Sequence, residues 1–104
     1  MVLVNTDYIS GQQLQTLTIV RGSVVMTKHI GSDIGASFQT IVGGEVRGYT
    51  DMLSQAREIA TARMIEDAQR WGADAIVNVR YTTSSVMQGA SEILATGTAV
   101  KFIQ

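Results

Sequence analysis

The sequence of 104 residues contains no cysteine. That excludes disulfide frameworks, thiolate metal sites and cysteine nucleophiles. Proline is also absent, where average usage would supply about five. Proline interrupts ladder hydrogen bonds and is confined to sheet edges and bulges. Its absence suits long unbroken strands and argues against a proline-rich linker. Charged residues make up only 16% of the chain, against a common value of about 25%. Eight basic and nine acidic residues give a net charge of -1 with no basic block, so nothing steers the chain toward nucleic acid or an anionic membrane. The start, Met1-Val2-Leu3-Val4-Asn5, lacks the basic region of a secretory signal, and no apolar run is long enough to span a bilayer. The expected location is the cytoplasm.

What is present is a moderately hydrophobic chain, 45% apolar, of a length that makes one domain over residues 1–104. A small domain with so few charges has trouble covering its surface with polar groups. This is the first indication of a large contact with other chains.

Val2-Leu3-Val4 reads as a brief edge strand, and Asp7 to Gln13 as a polar connection. Leu14 to Ile30 is rich in Thr, Val and Ile, which favours strand. Its apolar alternation changes parity, from Leu17 and Ile19 to Val24 and Met26, with Gly22 between. A β-bulge at Gly22 would switch the parity; a tight hairpin at Arg21-Gly22 is the competing reading. Ile34, Phe38, Ile41 and Val42 follow helical spacing, with Ser32 to cap the start and Gly43 to stop the end. The long helix is predicted from Thr50, as N-cap, to Trp71, with Gly72 just beyond its end. Met52, Leu53, Ala56, Ile59, Ala60 and Met64 form its apolar stripe. Arg63 and Asp67 intrude on that stripe four residues apart, either as a paired couple or as a contact with a neighbouring subunit. Ile65 projects from the opposite face.

Ala75 to Tyr81 alternates as a strand, Ser84 to Ala90 reads as a polar loop, and Ile93 to Ile103 is the last strand. That last strand is apolar on both faces, with Ile93, Ala95, Ala99 and Ile103 on one and Leu94, Val100 and Phe102 on the other. A strand of this kind is covered on both sides. One long helix covers one face. The economical cover for the other is further copies of the same chain. The fold class expected is therefore α+β, with an antiparallel sheet, one long helix on one face and a short extra helix. Ile65, Trp71, Leu94, Val100 and Phe102 are the expected interface residues.

Ile41-Val42-Gly43-Gly44, Tyr49, Ala56-Arg57-Glu58-Ile59-Ala60, Gly72-Ala73-Asp74-Ala75-Ile76-Val77 and Gly97-Thr98-Ala99-Val100-Lys101 occur in this order over most of the chain. The ordered set resembles the YbjQ-like family of small bacterial proteins. The resemblance implies a dodecin-like α+β subunit in a ring-shaped homo-oligomer, a pentamer. It also implies binding of heavy metals. Soft metals prefer thiolate or imidazole ligands, and the chain offers no cysteine, one histidine and five methionines scattered along its length.

The candidate sites are few. Gly43-Gly44 before the helix would cradle phosphate, but neither phosphate-loop pattern is matched, and a permissive turn explains the pair. Glu45, one per chain, would make a ring of carboxylates for a hard divalent cation under cyclic symmetry; alone it is a solvated loop residue. His29 would serve as a metal ligand only if it faced a symmetry axis. Arg57 and Glu58 read as a solvated helix face, and Trp71 as a core or interface anchor in preference to a stacking platform. No nucleophile, base and orienter are visible together. The expected function is an oligomeric binding protein, not an enzyme, with a metal or small ligand at subunit boundaries. The alternative is a structural or protein-interaction scaffold.

Overall fold

In the computed structural model, residues 1–27, 41–42 and 45–103 are described. The elements in chain order are β1 (Val2–Leu3), β2 (Gln13–Thr27), β3 (Ile41–Val42), β4 (Glu45–Val46), α1 (Arg47–Arg70), β5 (Ala75–Met87) and β6 (Ala90–Ile103). Four strands form the main sheet in the order β1-β5-β6-β2, and β3 and β4 pair with each other. The architecture is α+β. The main sheet is mixed, not purely antiparallel as expected, because β1 runs parallel to β5. The N-terminal segment continues past β1 along β5: the Val4 N–H donates to the Ile76 carbonyl at 3.0 Å, and the Asn78 N–H to the Thr6 carbonyl at 2.8 Å. A two-residue strand carries too little alternation for its direction to be read from sequence.

β2 is one continuous strand paired with β6 along its length, so the hairpin at Arg21-Gly22 does not form. A bulge does switch the parity, but it lies between Thr16 and Thr18. Gly22 has another role. A Cβ there would sit 2.2 Å from the Ala60 carbonyl oxygen and 2.3 Å from the Met64 nitrogen. The backbone of α1 rests directly on β2 at this position, and only glycine admits it.

α1 buries Ala56, Ala60, Met64 and Ala68, spaced by four, against Val20, Val24, Ile76, Ile93, Ala95 and Ala99. Alanines at i, i+4 and i+12, with Met64 between them, allow the close approach. The helix begins at Arg47, so Thr50 lies inside it and is not its cap; β4 runs straight into the helix and leaves no room for a cap at Thr50. Its end follows expectation. Gly72 has φ +68, its N–H donates to the Gln69 carbonyl at 3.0 Å, and the Ala73 N–H reaches back to the Ala68 carbonyl at 3.2 Å. This pair of bonds is the Schellman closure.

Three further expectations change. The segment Ser84 to Ala90 is mostly strand: β5 continues to Met87 and turns through Gln88 and Gly89 into β6. Thr82 to Ser85 are exposed, so no buried face imprints an alternation on them, yet threonine suits a pleated surface. Ile41-Val42, expected at the end of a short helix, forms a strand paired with Glu45-Val46. Ile34, Phe38 and the Gly43-Gly44 turn lie outside the described residues. Finally, Val100 is 1% exposed within the single chain. It packs with Ala75, Val77, Val4, Ile9, Leu14 and Phe102 on the sheet face away from the helix. The N-terminal segment covers that end of the second face, so Val100 has no surface to offer a partner.

The molecule is long. Its extents are 55 × 26 × 17 Å and its radius of gyration is 16.8 Å, against about 13 Å for a compact domain of this length.

Replacing Gly22 with alanine is expected to destabilise the fold by about 2–4 kcal/mol, because the obstructing atoms are helix backbone. Gly97→Ala is expected to cost less, since the nearest obstruction there is the Ile76 Cγ2, 2.4 Å away on a side chain that can turn. Denaturant unfolding of the two variants checks the order. Equal losses would contradict the helix contact as the tighter of the two.

Candidate functional site

Three clefts border α1. The first, about 510 Å³, lies between the outer face of the helix and β5, with Ala62 and Ile65 as apolar floor, Ser54, Arg57 and Glu58 at the rim, and Thr61 and Tyr81 joining the two elements. The Thr61 hydroxyl donates to the Arg57 carbonyl at 2.7 Å. Its only proton is thereby used, so the Tyr81 hydroxyl donates to Thr61 Oγ1 across the 2.8 Å contact between them. The phenolic oxygen keeps its acceptor capacity toward the cleft. Arg57 also reaches Ser54 Oγ at 3.3 Å. The cleft thus presents an aromatic wall and a hydroxyl acceptor beside a guanidinium and a carboxylate. It opens widely to solvent.

The second cleft, about 330 Å³, is narrower and lies at the start of α1 under the tip of the hairpin, with Met26, Tyr49, Met52 and Leu53 facing Thr83, Ser85 and Ser91. Two thioethers from distant parts of the chain meet here. The third, about 580 Å³, is lined by Arg21, Ser23, Arg63, Glu66, Asp67 and Arg70. Its charges serve the fold. Arg63 donates to the Ser23 carbonyl at 2.6 Å, and Asp67 accepts the Arg21 N–H at 3.2 Å. Both bonds close backbone groups on the outer edge of β2. Arg63 and Asp67 therefore bond to the strand and not to each other. Arg70 meets Glu66 at 3.3 Å and Asp67 at 3.8 Å, pairs too exposed to contribute much.

The sequence-predicted residues are dispersed. His29 lies outside the described residues, and of Glu45 only the backbone, in β4, is described. Ile65 is half-buried in the floor of the first cleft. Trp71 is 54% exposed just past the end of α1. Leu94 is half-buried on the sheet face away from the helix, paired with Ser23 and Thr82. Phe102 is half-buried beside Val100, and its N–H donates to Asp74 Oδ2 at 2.8 Å. Arg57 and Glu58 share the first cleft with Tyr81, whose part was not legible because it sits where the strand alternation fades. The Met26–Met52 meeting depends on β2 and α1 lying side by side, which methionine spacing does not encode.

Among the described residues, no three of His, Asp and Glu are grouped to hold a metal ion. Two thioethers fall short of a soft-metal site. The described donors of one chain therefore do not fit a resident heavy metal by themselves. No described helix is long and apolar enough to cross a membrane.

A family model described as "Putative heavy-metal-binding" matches residues 1–103. A UPF0145 protein of Photobacterium profundum is 62% identical over 102 residues, 97% of this chain and 99% of that protein. Another, from Alkaliphilus metalliredigens, is 59% identical over 103 residues, 99% of this chain and all of that one. Among solved structures, a protein of unknown function in the DUF74 family from Pediococcus pentosaceus superimposes with a TM-score of 0.70 at 13% identity, covering 99% of this chain and 98% of that one. At that identity the likeness concerns the fold alone.

Tyr81→Phe removes one hydrogen bond at a half-exposed site while Thr61 keeps its bond to the Arg57 carbonyl. The expected loss of stability is below about 1 kcal/mol. A larger loss in urea unfolding would mean that Tyr81 braces the hairpin against the helix.

Proposed function

The chain belongs to the UPF0145 family, the YbjQ-like group, and from that premise we propose that it is an oligomeric binding protein whose ligand lies at subunit boundaries. The observation that carries this reading is surface. The chain exposes 6831 Å², where a compact monomer of 11.2 kDa is expected to expose about 5,700 Å². The excess is comparable to one partner's share of a standard interface, about 800 Å². Ile19, Val25, Tyr81, Val86 and Met87 are all exposed, a poor arrangement for a solitary domain.

The first cleft supports a binding role in particular. It opens widely to solvent beside the hairpin, and a neighbouring subunit placed there would turn an open groove into an enclosed site. Such a site has an aromatic wall with a few convergent polar groups, which is the usual make-up of a small-ligand pocket. A metal would require donors from several copies at once, with Glu45 and His29 as the residues to supply them. A ring of five agrees with the family resemblance and places one such residue per subunit about the axis. The role we propose is non-catalytic.

Sedimentation velocity at micromolar concentration is expected to give an assembly well above 11 kDa. Calorimetric titration with divalent zinc or nickel is expected to give about one ion per assembly, a fraction per chain, lost in Glu45→Gln or His29→Ala. A folded 11 kDa species would refute the oligomer. An assembly that takes up neither metals nor small metabolites, but copurifies with a stoichiometric protein, would favour a scaffold.

A further inference from the structure

The helix side of the first cleft is a single stripe of α1, from Ser54 through Arg57, Glu58, Thr61 and Ala62 to Ile65. Residues three and four apart share one face of a helix. Neighbours in sequence point about 100° apart, so the two charged members of the stripe take opposite sides of it. Arg57 is four positions before Thr61, on the side whose hydroxyl meets Tyr81 of β5. Glu58 is four positions before Ala62, on the outer side. The cleft thus carries one cation and one anion over the floor of Ala62 and Ile65.

Neither charge is used within the chain. Among the described residues the ion pairs are those of Arg70 with Glu66 and Asp67, and neither Arg57 nor Glu58 takes part in one. Arg57 reaches only the neutral Ser54 hydroxyl, at 3.3 Å, which leaves most donors of its fork open. The two cannot satisfy each other, because adjacent side chains on a helix do not face one another. The third cleft is different: there Arg63 and Asp67 are held by the backbone of β2. In the first cleft the Tyr81 proton is directed at Thr61, so the phenolic oxygen offers a further acceptor beside the two charges.

This pattern selects among ligand classes. An anion held by Arg57 would bring its charge beside Glu58. A cation held by Glu58 would meet the guanidinium. A ligand that carries both signs a few ångströms apart satisfies both at once. In an α-amino acid the carboxylate and the ammonium are separated by a single carbon, which suits partners on consecutive residues of one helix. Ala62, Ile65 and the Tyr81 ring suit an apolar body, and about 510 Å³ is ample for it.

We propose that the first cleft takes a free α-amino acid with an apolar side chain. Its carboxylate lies on Arg57, its ammonium on Glu58 and the Tyr81 oxygen, and its side chain over Ala62 and Ile65. The inference rests on the reading of this cleft as a ligand site and names what fills it.

The probes are L-phenylalanine, 3-phenylpropanoate, which lacks the amine, and 2-phenylethylamine, which lacks the carboxylate. Each is titrated into isotope-labelled protein at neutral pH and low salt, and the amide resonances of Thr61 and Tyr81 are followed. Phenylalanine is expected to move both, and each singly charged probe to bind about tenfold more weakly. In Arg57→Gln the preference is expected to pass to the amine, and in Glu58→Gln to the carboxylate. Both side chains are exposed, so both variants are expected to fold. A residue that only supports the structure would weaken the three probes alike, and that result overturns the assignment. A singly charged probe that binds the cleft as tightly as phenylalanine overturns the amino acid and leaves the cleft a ligand site. No shift from any probe, in protein that sediments as an assembly, overturns the proposal and leaves the oligomeric reading standing. A folded monomer that still discriminates among the three keeps the amino-acid site and ends the oligomeric reading.

Discussion

The contact on which the rest of the molecule depends is the meeting of α1 with β2 at Gly22, where helix backbone touches strand backbone with no side chain between them. Ala56, Ala60 and Ala68 hold the helix that close along its length. A helix lying so low brings Arg63 and Asp67 to the margin of the sheet, within reach of the strand's outer backbone groups. The same alanines and glycine that reduce side-chain volume in the core thus set which hydrogen bonds the polar residues of the helix can make. A bulkier core would lift the helix, and both bonds would lengthen beyond use.

The chain's economy with polar groups follows from this geometry. Arg63 and Asp67 close the middle of one edge, and the N-terminal segment closes the base of the other. Beyond those two patches the strands run on. The absence of proline lets them, and the low charge leaves exposed Ile19, Val25, Val86 and Met87 without a polar screen. Elongation and excess surface are therefore two expressions of one condition: the sheet is longer than the helix that covers it.

That condition also shapes the reading of function. The first and third clefts lie open beside the helix and fall short of enclosed sites. The family is described through metals, but one chain gathers two thioethers at most and no cluster of harder ligands among the described residues. Under the proposed function, symmetry would be the means by which a sparse donor set becomes a sufficient one, and the first cleft, with Tyr81, Arg57 and Glu58, would gain its missing walls from a neighbour.

Local pattern was enough for the long helix, its Gly72 closure, the α+β class and the apolar stripe, because each depends on residues within one or two turns of each other. It was enough for the family too, since ordered motifs survive without any knowledge of contacts. Pattern failed where burial was missing or long-range. Ser84 to Ala90 looked like loop because the residues of β5 in that segment, Ser84 to Met87, are all exposed. The parity shift was assigned to Gly22, when a bulge near Leu17 causes it, because glycine is an equally good sign of a bulge and of a close approach. Val100 looked like interface because the N-terminal residues that cover it are about ninety positions away in sequence. Arg63 and Asp67 looked like a pair because their spacing is helical, but the strand that each one bonds is brought there only by the packing of α1. The sequence by itself determined the long helix, its Gly72 closure and the α+β class. Which edges are closed, which face is filled and which residues share a cleft were decided by tertiary structure, because those are properties of distances between segments that no local period records.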